Sequence, residues 1–491
     1  MREWLRTNEM MTNDRSVKPT GCLRAWSVRL VLHWYRNHCL SLLAISLVVV
    51  VGCGQELEVE YPDREEVVFW HFWGGRDRPI VQRVVQQFNA SQDQYVVRAI
   101  AMPGTNLDLK FFLSVAGNDA PDLLNHDDPV VADWAHRGVL TPISELASEA
   151  QLQRLQTWLF PAARKLGTYQ GKLYALCNGL DIRALYCNQT LLEEYGLNLP
   201  KSLSDLDRIA ETIAPAEAGS HPKRMGYLPD PRRLWSWGIA FGGNFVDLEA
   251  AGAQDKITAD APEIVAALSW MASYSRRYGP SQVAAFRSGE QALTGTKFPL
   301  LANRRYAVVM DGQWRVRDIA EAYEAHPNQP QPAGQKTEIG AGDRFAVVPL
   351  PAPSGGRSDA GWVNGNFFVV PSQARCKKGA WEFMQFWTGF ANSESLAAEA
   401  CAAGGWIPVS QSVVNEKVYQ AAIVKQPLLG EFVRLARSTS QVPVPALPVA
   451  SLYYQEVIRA AQEVMYRGED PARALQNATE KICNRLQEVE P

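Results

Sequence analysis

The chain places acids, amides and arginines beside large aromatic rings at the ends of short apolar runs. His71 and Trp73 follow the run 67–70, Asn125, Asp127 and Asp128 follow 121–125, and Asp181 and Arg183 lie between two further runs. Downstream come Trp235, Trp237 and Asn244 in RLWSWGIAFGGNF, Trp314 in MDGQW, Trp362 in GWVNG, Trp406 in GGWIP, and Tyr453. Carboxylates, amides and guanidinium groups exchange hydrogen bonds with hydroxyls, and ring faces pack on flat C–H surfaces. A sugar is one ligand that presents both, so these residues are candidate carbohydrate contacts in a cleft.

Each position also has a structural reading. Trp70, Phe72 and Trp73 can pack as a cluster with His71 as a neighbour, and either Asp127 or Asp128 can cap a helix starting near Pro129. Asp181 and Arg183 can form a salt bridge. Trp235 and Trp237 share a face on a strand but not on a helix. Trp270, Trp381 and Trp387 stand at helical spacing among apolar residues and read as core.

Catalytic readings are weaker. A surface glycosidase or lyase needs two opposed carboxylates, and Asp127–Asp128 or Glu193–Glu194 are adjacent pairs whose side chains diverge on any regular element. His71, His126, His136, His221 and His326 lack metal-ligand spacing, and neither a nucleophile elbow nor a dinucleotide-binding loop occurs in a strand-turn-helix setting. The expectation is a binding protein without cofactor or metal. Composition agrees: 49 basic against 52 acidic residues give a net charge of −3, which removes the attraction that nucleic-acid binding requires. The arginines that could meet an anionic ligand are Arg76, Arg183, Arg232 and Arg233.

The elements that must position these residues alternate between strand and helix. The runs 67–70 and 95–101 predict parallel strands around a helix over 79–89, followed by helix 107–115, strand 121–125 and helix 130–136. Strands are expected at 174–178, 184–187, 307–310 and 345–349, and helices at 191–195, 203–213, 264–278, 379–387 and along 452–486. With 491 residues against about 150 per domain, at least two cores and two α/β lobes are expected. In such sheets ligands sit beyond the C-terminal strand ends.

The first fifty residues read as a leader, because Arg24, Arg29 and Arg36 precede a twelve-residue apolar run at 40–51 that is too short to span a bilayer. The run ends in Val50-Val51-Gly52-Cys53, which resembles the bacterial lipobox and implies a lipid anchor at Cys53. Cleavage there leaves 42 basic and 49 acidic residues, a net charge of −7, with 54–66 as a polar tether. Cys177, Cys187, Cys376, Cys401 and Cys483 then remain. An odd number cannot all pair, and buried free thiols are expected.

Six segments in order (VVFWHFWGG at 67–75, APDLLNHDDPVVADWAHRGVLTPI at 120–143, YQGKLYALCNGLDIRALYCNQTLLEEYGL at 169–197, MDGQW at 310–314, GWVNGNFFVVPSQARCKKGAWEFMQFW at 361–387 and GGWIPVS at 404–410) resemble the extracellular solute-binding proteins of ATP-driven carbohydrate importers, the group that includes maltose-binding protein. The resemblance implies a two-lobe α/β fold of the periplasmic-binding-protein type with hinge crossings and a ligand cleft between the lobes. It implies lobe 1 over 67–176 plus 364–415 and lobe 2 over 177–363 plus 416–491. It further implies a monomer that holds a sugar, works with membrane permease subunits and sits on the extracytoplasmic face of a membrane; presentation to a sensor is the alternative to import. The chain departs from the family pattern at Tyr186-Cys187-Asn188-Gln189, where Tyr-Tyr-Asn-Lys is common, and at Cys177-Asn178, where Pro is common. Segments 215–234 and 324–343 read as insertions.

Overall fold

A computed structural model describes residues 61, 63–127, 129–215, 223–250, 252–291, 303–325, 343–390 and 392–490. The leader, Cys53, Asp128, His221, His326 and the stretches 216–222 and 326–342 of the two segments expected as insertions lie outside the described residues. Among those described, no helix is long and apolar enough to cross a membrane.

Ten strands can be numbered along the described chain: β1 Glu65–His71, β2 Tyr95–Ala101, β3 Leu123–His126, β4 Thr168–Tyr169, β5 Lys172–Leu173, β6 Ala175–Asn188, β7 Val308–Gly312, β8 Phe345–Val348, β9 Gly361–Val369 and β10 Gln441–Val442. The first βαβ unit forms as its pattern predicts. β1 and β2 pair in parallel, and helix Arg78–Ser91 between them buries Val81, Val84, Val85 and Phe88. β3 adds in parallel to the other edge of β1. β4 and β5 form a separate small hairpin.

The remaining strands depart from the expectation of two independent sheets and two cores. Eight strands form one path, β2-β1-β3-β9-β6-β7, with β10 on β9 and β8 on β6, and the buried apolar residues form one cluster. The cause is β6. The two strands expected at 174–178 and 184–187 are one fourteen-residue strand, buried at every position but Asp181. Its first half pairs antiparallel with β9, and its second half, from Arg183 onward, pairs with β7 on one edge and β8 on the other. β9 is buried at all nine positions and also reaches β3. Strands buried on both faces do not alternate, so neither could be bounded by period.

A bulge between Cys177 and Gly179 bends β6 where it meets the segment around Trp406. A Cβ on Gly179 would stand 3.0 Å from the Trp406 Cβ, so this close approach needs glycine. Cys177 and Cys187 lie on the same extended strand and cannot meet; both are buried free thiols, as are Cys376 and Cys401. The C-terminal stretch is two helices, Ala450–Arg467 and Pro471–Val489, broken at Gly468 with φ 77.

One buried carboxylate ties the N-terminal strands to the segment after β9. Asp122 accepts hydrogen bonds from the backbone N–H groups of Val68 (2.9 Å), Arg375 (2.7 Å) and Cys376 (2.8 Å). Asp122→Ala strands three donors, and we expect a loss of about 3 kcal/mol in urea unfolding; a midpoint within error of the wild type would refute this role.

Candidate functional site

The polar and aromatic residues converge where β6 exchanges its partners. Arg183, only 6% exposed, lies with its guanidinium carbon 4.1 Å from the centre of the Trp362 ring and 5.2 Å from that of Trp314. The three come from β6, β9 and the start of helix Trp314–Ala325, two residues after Gly312 at the end of β7, and Arg183 is register-paired with Gly312. The Trp314 ring folds back over Gly312, where a Cβ would stand 2.1 Å from it. Glycine is therefore what allows that ring position.

Among the described residues, Arg183 donates to the Asp181 carbonyl (2.8 Å), and its Nε is buried without a partner. Burial lowers its pKa to about 10, with Asp181 opposing and Arg233 adding to the fall. The alternative reading of an Asp181–Arg183 salt bridge is not realised among the described residues. Asp181 instead accepts from Gln313 Nε2 at 2.7 Å, and Gln313 Oε1 accepts from the Ile182 N–H at 3.1 Å. Tyr454 completes the ring group, with its centroid 5.2 Å from that of Trp362.

A second group lies on the first strands. Asn125 donates to Asn178 Oδ1 (3.3 Å) and to the Phe367 carbonyl (3.1 Å), while Asn125 Oδ1 and Asn178 Nδ2 are buried without partners. Asp127 is exposed, and its carbonyl accepts from the Asn364 amide of β9. The Asp127 N–H donates to His126 Nδ1 at 2.9 Å, so His126 Nε2 carries the proton that it gives to Asp108 at 2.6 Å; that bond holds the Asp108 carboxyl below its usual range. Between Val131, Asn364, Phe367 and Pro443 there remains a cavity of about 30 Å³, room for one water.

Other expected contacts are placed elsewhere. Trp235 and Trp237 lie on helix Leu234–Ala240 instead of a strand, and both are fully buried. Trp235 packs on Phe245 and Tyr453, and Trp237 on Trp270, so core packing occupies both rings. Tyr453 is also fully buried, its hydroxyl donating to the Phe245 carbonyl; its neighbour Tyr454 is the tyrosine that reaches the cluster. Trp73 stacks on Trp387 and contacts Trp406, both centroids at 5.4 Å, which places Trp73 and Trp406 in a packing cluster. Asn244 sits on an exposed turn and accepts from Arg357 at 2.8 Å. Of the fourteen expected contacts, Asp181, Arg183, Trp314 and Trp362 therefore meet, and Gln313, Asn364 and Tyr454, which residue pattern alone does not single out, join them. Gln313 and Asn364 lie inside the MDGQW and GWVNG motifs.

Residues 83–426 match the family of bacterial extracellular solute-binding proteins. The chain belongs to that family. A probable ABC transporter-binding protein of Deinococcus radiodurans is 26% identical over 308 residues, 60% of this chain, which spans 64% of that relative's length. A maltotriose-binding protein of Pyrococcus abyssi is 21% identical over 72% of this chain and 68% of its own. Among solved structures, CpMnBP1 with mannotriose bound superimposes with a TM-score of 0.68 at 20% identity, covering 85% of this chain and 100% of that one. The GacH receptor of Streptomyces glaucescens, solved unliganded and with acarbose, gives 0.65 at 18% identity over 86% and 99%. The fold is thus the maltose-binding-protein-like two-lobe α/β fold, with β6 and β9 shared between its halves.

Two crossed ion pairs join those halves beside the site. The turn Gly75–Asp77 after β1 contributes Arg76 and Asp77, and helix Trp314–Ala325 after β7 contributes Arg317 and Asp318. Arg317 meets Asp77 at 2.6 Å, and Arg76 meets Asp318. We expect Arg317→Glu to lower stability by about 1 kcal/mol and to enlarge the radius of gyration in X-ray scattering, with Asp77→Arg restoring both in the double variant. Unchanged scattering in the single variant would count against a tie between the halves.

His71 offers a pH test. It is buried between Phe69 and Trp73, and burial, helped by the charge of Arg78, lowers its pKa from 6.5 to about 4. An unfolded histidine takes up its proton near pH 6.5 and the folded one near 4, so stability falls as pH drops through that window, by up to about 3 kcal/mol. His71→Phe should flatten the wild-type decline between those pH values in chemical unfolding; an identical slope in both proteins would exclude His71 as the cause.

Proposed function

We propose that this chain is a receptor that captures a carbohydrate by closure of its lobes and delivers it to an ABC transporter permease. The observation that carries the reading is the pair of tryptophan rings, Trp314 and Trp362, both packed on the buried Arg183 guanidinium, with Asp181, Gln313 and Asn364 alongside. Flat rings next to hydrogen-bonding groups are what a sugar face and its hydroxyls require. The maltotriose-binding relative and the mannotriose-bound structural neighbour support the same ligand class. The proposed lobes are 67–176 plus 364–415 and 177–363 plus 416–491, with the crossings on β6 and β9. A ligand touching both lobes binds the closed form better and shifts the population toward it.

Within this proposal the chain acts in binding and not in catalysis. Residues 53–66 tether it, and Cys53 carries the lipid that holds a monomer at the extracytoplasmic membrane face.

Isothermal titration against mono- and oligosaccharides tests the reading. At least one saccharide should bind with a dissociation constant in the micromolar range or below. Trp362→Ala should weaken it tenfold or more, and Gly312→Ala, which displaces the Trp314 ring, about tenfold, with far-ultraviolet circular dichroism preserved. Absence of binding by every saccharide would refute the carbohydrate reading.

A further inference from the structure

A cavity of about 470 Å³ opens in the half of the molecule built on β7, walled by Asp311 of that strand and by the half-buried Tyr466 ring. Its β7 wall is the strand paired directly with Arg183, so it adjoins the tryptophan cluster. Four arginines line it, Arg232, Arg233, Arg287 and Arg315, against three carboxylates, Asp230, Glu290 and Asp311.

The carboxylates are already engaged. Asp311 accepts from Arg233 (3.1 Å), Arg315 (2.8 Å) and the Gly312 N–H (2.9 Å). Asp230 accepts a forked pair from Arg232, with its shortest contact at 2.6 Å. Glu290 accepts from Arg287 at 3.2 Å and from the Tyr306 hydroxyl. The arginines are not exhausted. Arg233 is 9% exposed, and the Nε atoms of Arg233 and Arg287 are buried with no partner, as is that of Arg183 next door. An anionic oxygen placed in the cavity adds a charge-assisted acceptor for guanidinium groups that outnumber their carboxylate partners.

We propose that this cavity is a subsite for an acidic saccharide, which places the carboxylate of a uronic acid residue against Arg233 and Arg287. The inference rests on the carbohydrate-receptor reading and narrows its ligand class. Charge selects the group: four cations against three anions leave one positive charge, which a carboxylate neutralises and a phosphate monoester, at about −1.5 to −2, overfills. The chain's overall negative charge opposes long polyanions, so a short uronide, or a mixed oligosaccharide with one acidic unit, fits best.

The test is calorimetric titration of the full-length chain with short uronic-acid oligosaccharides, their carboxyl-reduced neutral counterparts, and sulfated and phosphorylated sugars of the same length. We expect a uronide to bind at least tenfold more tightly than its reduced counterpart, and Arg233→Met to remove that difference. A reduced sugar that binds as well as or better than the uronide overturns the acidic subsite and leaves the receptor reading standing. Tighter binding of the sulfated or phosphorylated sugar overturns the assignment to a carboxylate. If no saccharide of any charge binds, the receptor reading itself fails and this subsite with it. The wild-type comparison of uronide with reduced sugar decides the matter even if Arg233→Met does not fold.

Discussion

The continuity of two strands governs the rest of this molecule. β6 and β9 are buried along almost their whole length, and between them they hydrogen-bond to strands of both halves. A strand cannot be cut from its ladder without exposing unpaired N–H and C=O groups, so the halves are held in one register while the residues at the exchange of partners face both. Asp181, Arg183, Trp362 and Asn364 occupy that exchange because β6 leaves β9 for β7 and β8 at Arg183. The cluster is thus a consequence of topology and not of a local motif.

Around this junction, charge is organised as a chain. Arg233 meets Asp311, Asp311 meets Arg315, Arg315 meets Asp318, and Asp318 meets Arg76 on the turn after β1. Partial burial makes such links stronger than exposed pairs, and the sharing of each carboxylate between two guanidinium groups fixes geometry more than any one pair does. Arg233 is therefore linked through shared carboxylates to the turn after β1.

The aromatic residues divide by what packs against them. Trp235, Trp237, Trp387 and Tyr453 are enclosed by other rings and by helices, whereas Trp314 and Tyr454 keep part of their surface and Trp362 shares a face with Arg183. Sequence neighbours fall on opposite sides of this division. Tyr453 and Tyr454 differ by one residue, about 100° around a helix, and that rotation sends one ring to the core and the other to Trp362.

Local pattern by itself determined the elements with a single buried face: the βαβ unit of β1, helix Arg78–Ser91 and β2, the helices with apolar stripes, and the free thiols implied by an odd cysteine count. Motif order supplied the family and its two-lobe fold. Residue type marked fourteen candidate contacts, of which Asp181, Arg183, Trp314 and Trp362 come together in the structure. Tertiary structure alone decided that 175–188 is one strand, since full burial erases the alternation that bounds strands. It alone decided that Trp235 and Trp237 are core, since a helix turns them onto different neighbours. It also brought Arg232, Arg233, Arg287 and Arg315, up to 83 positions apart in the chain, around one cavity. Contacts at that separation depend on how elements pack, and no periodicity within a segment encodes them.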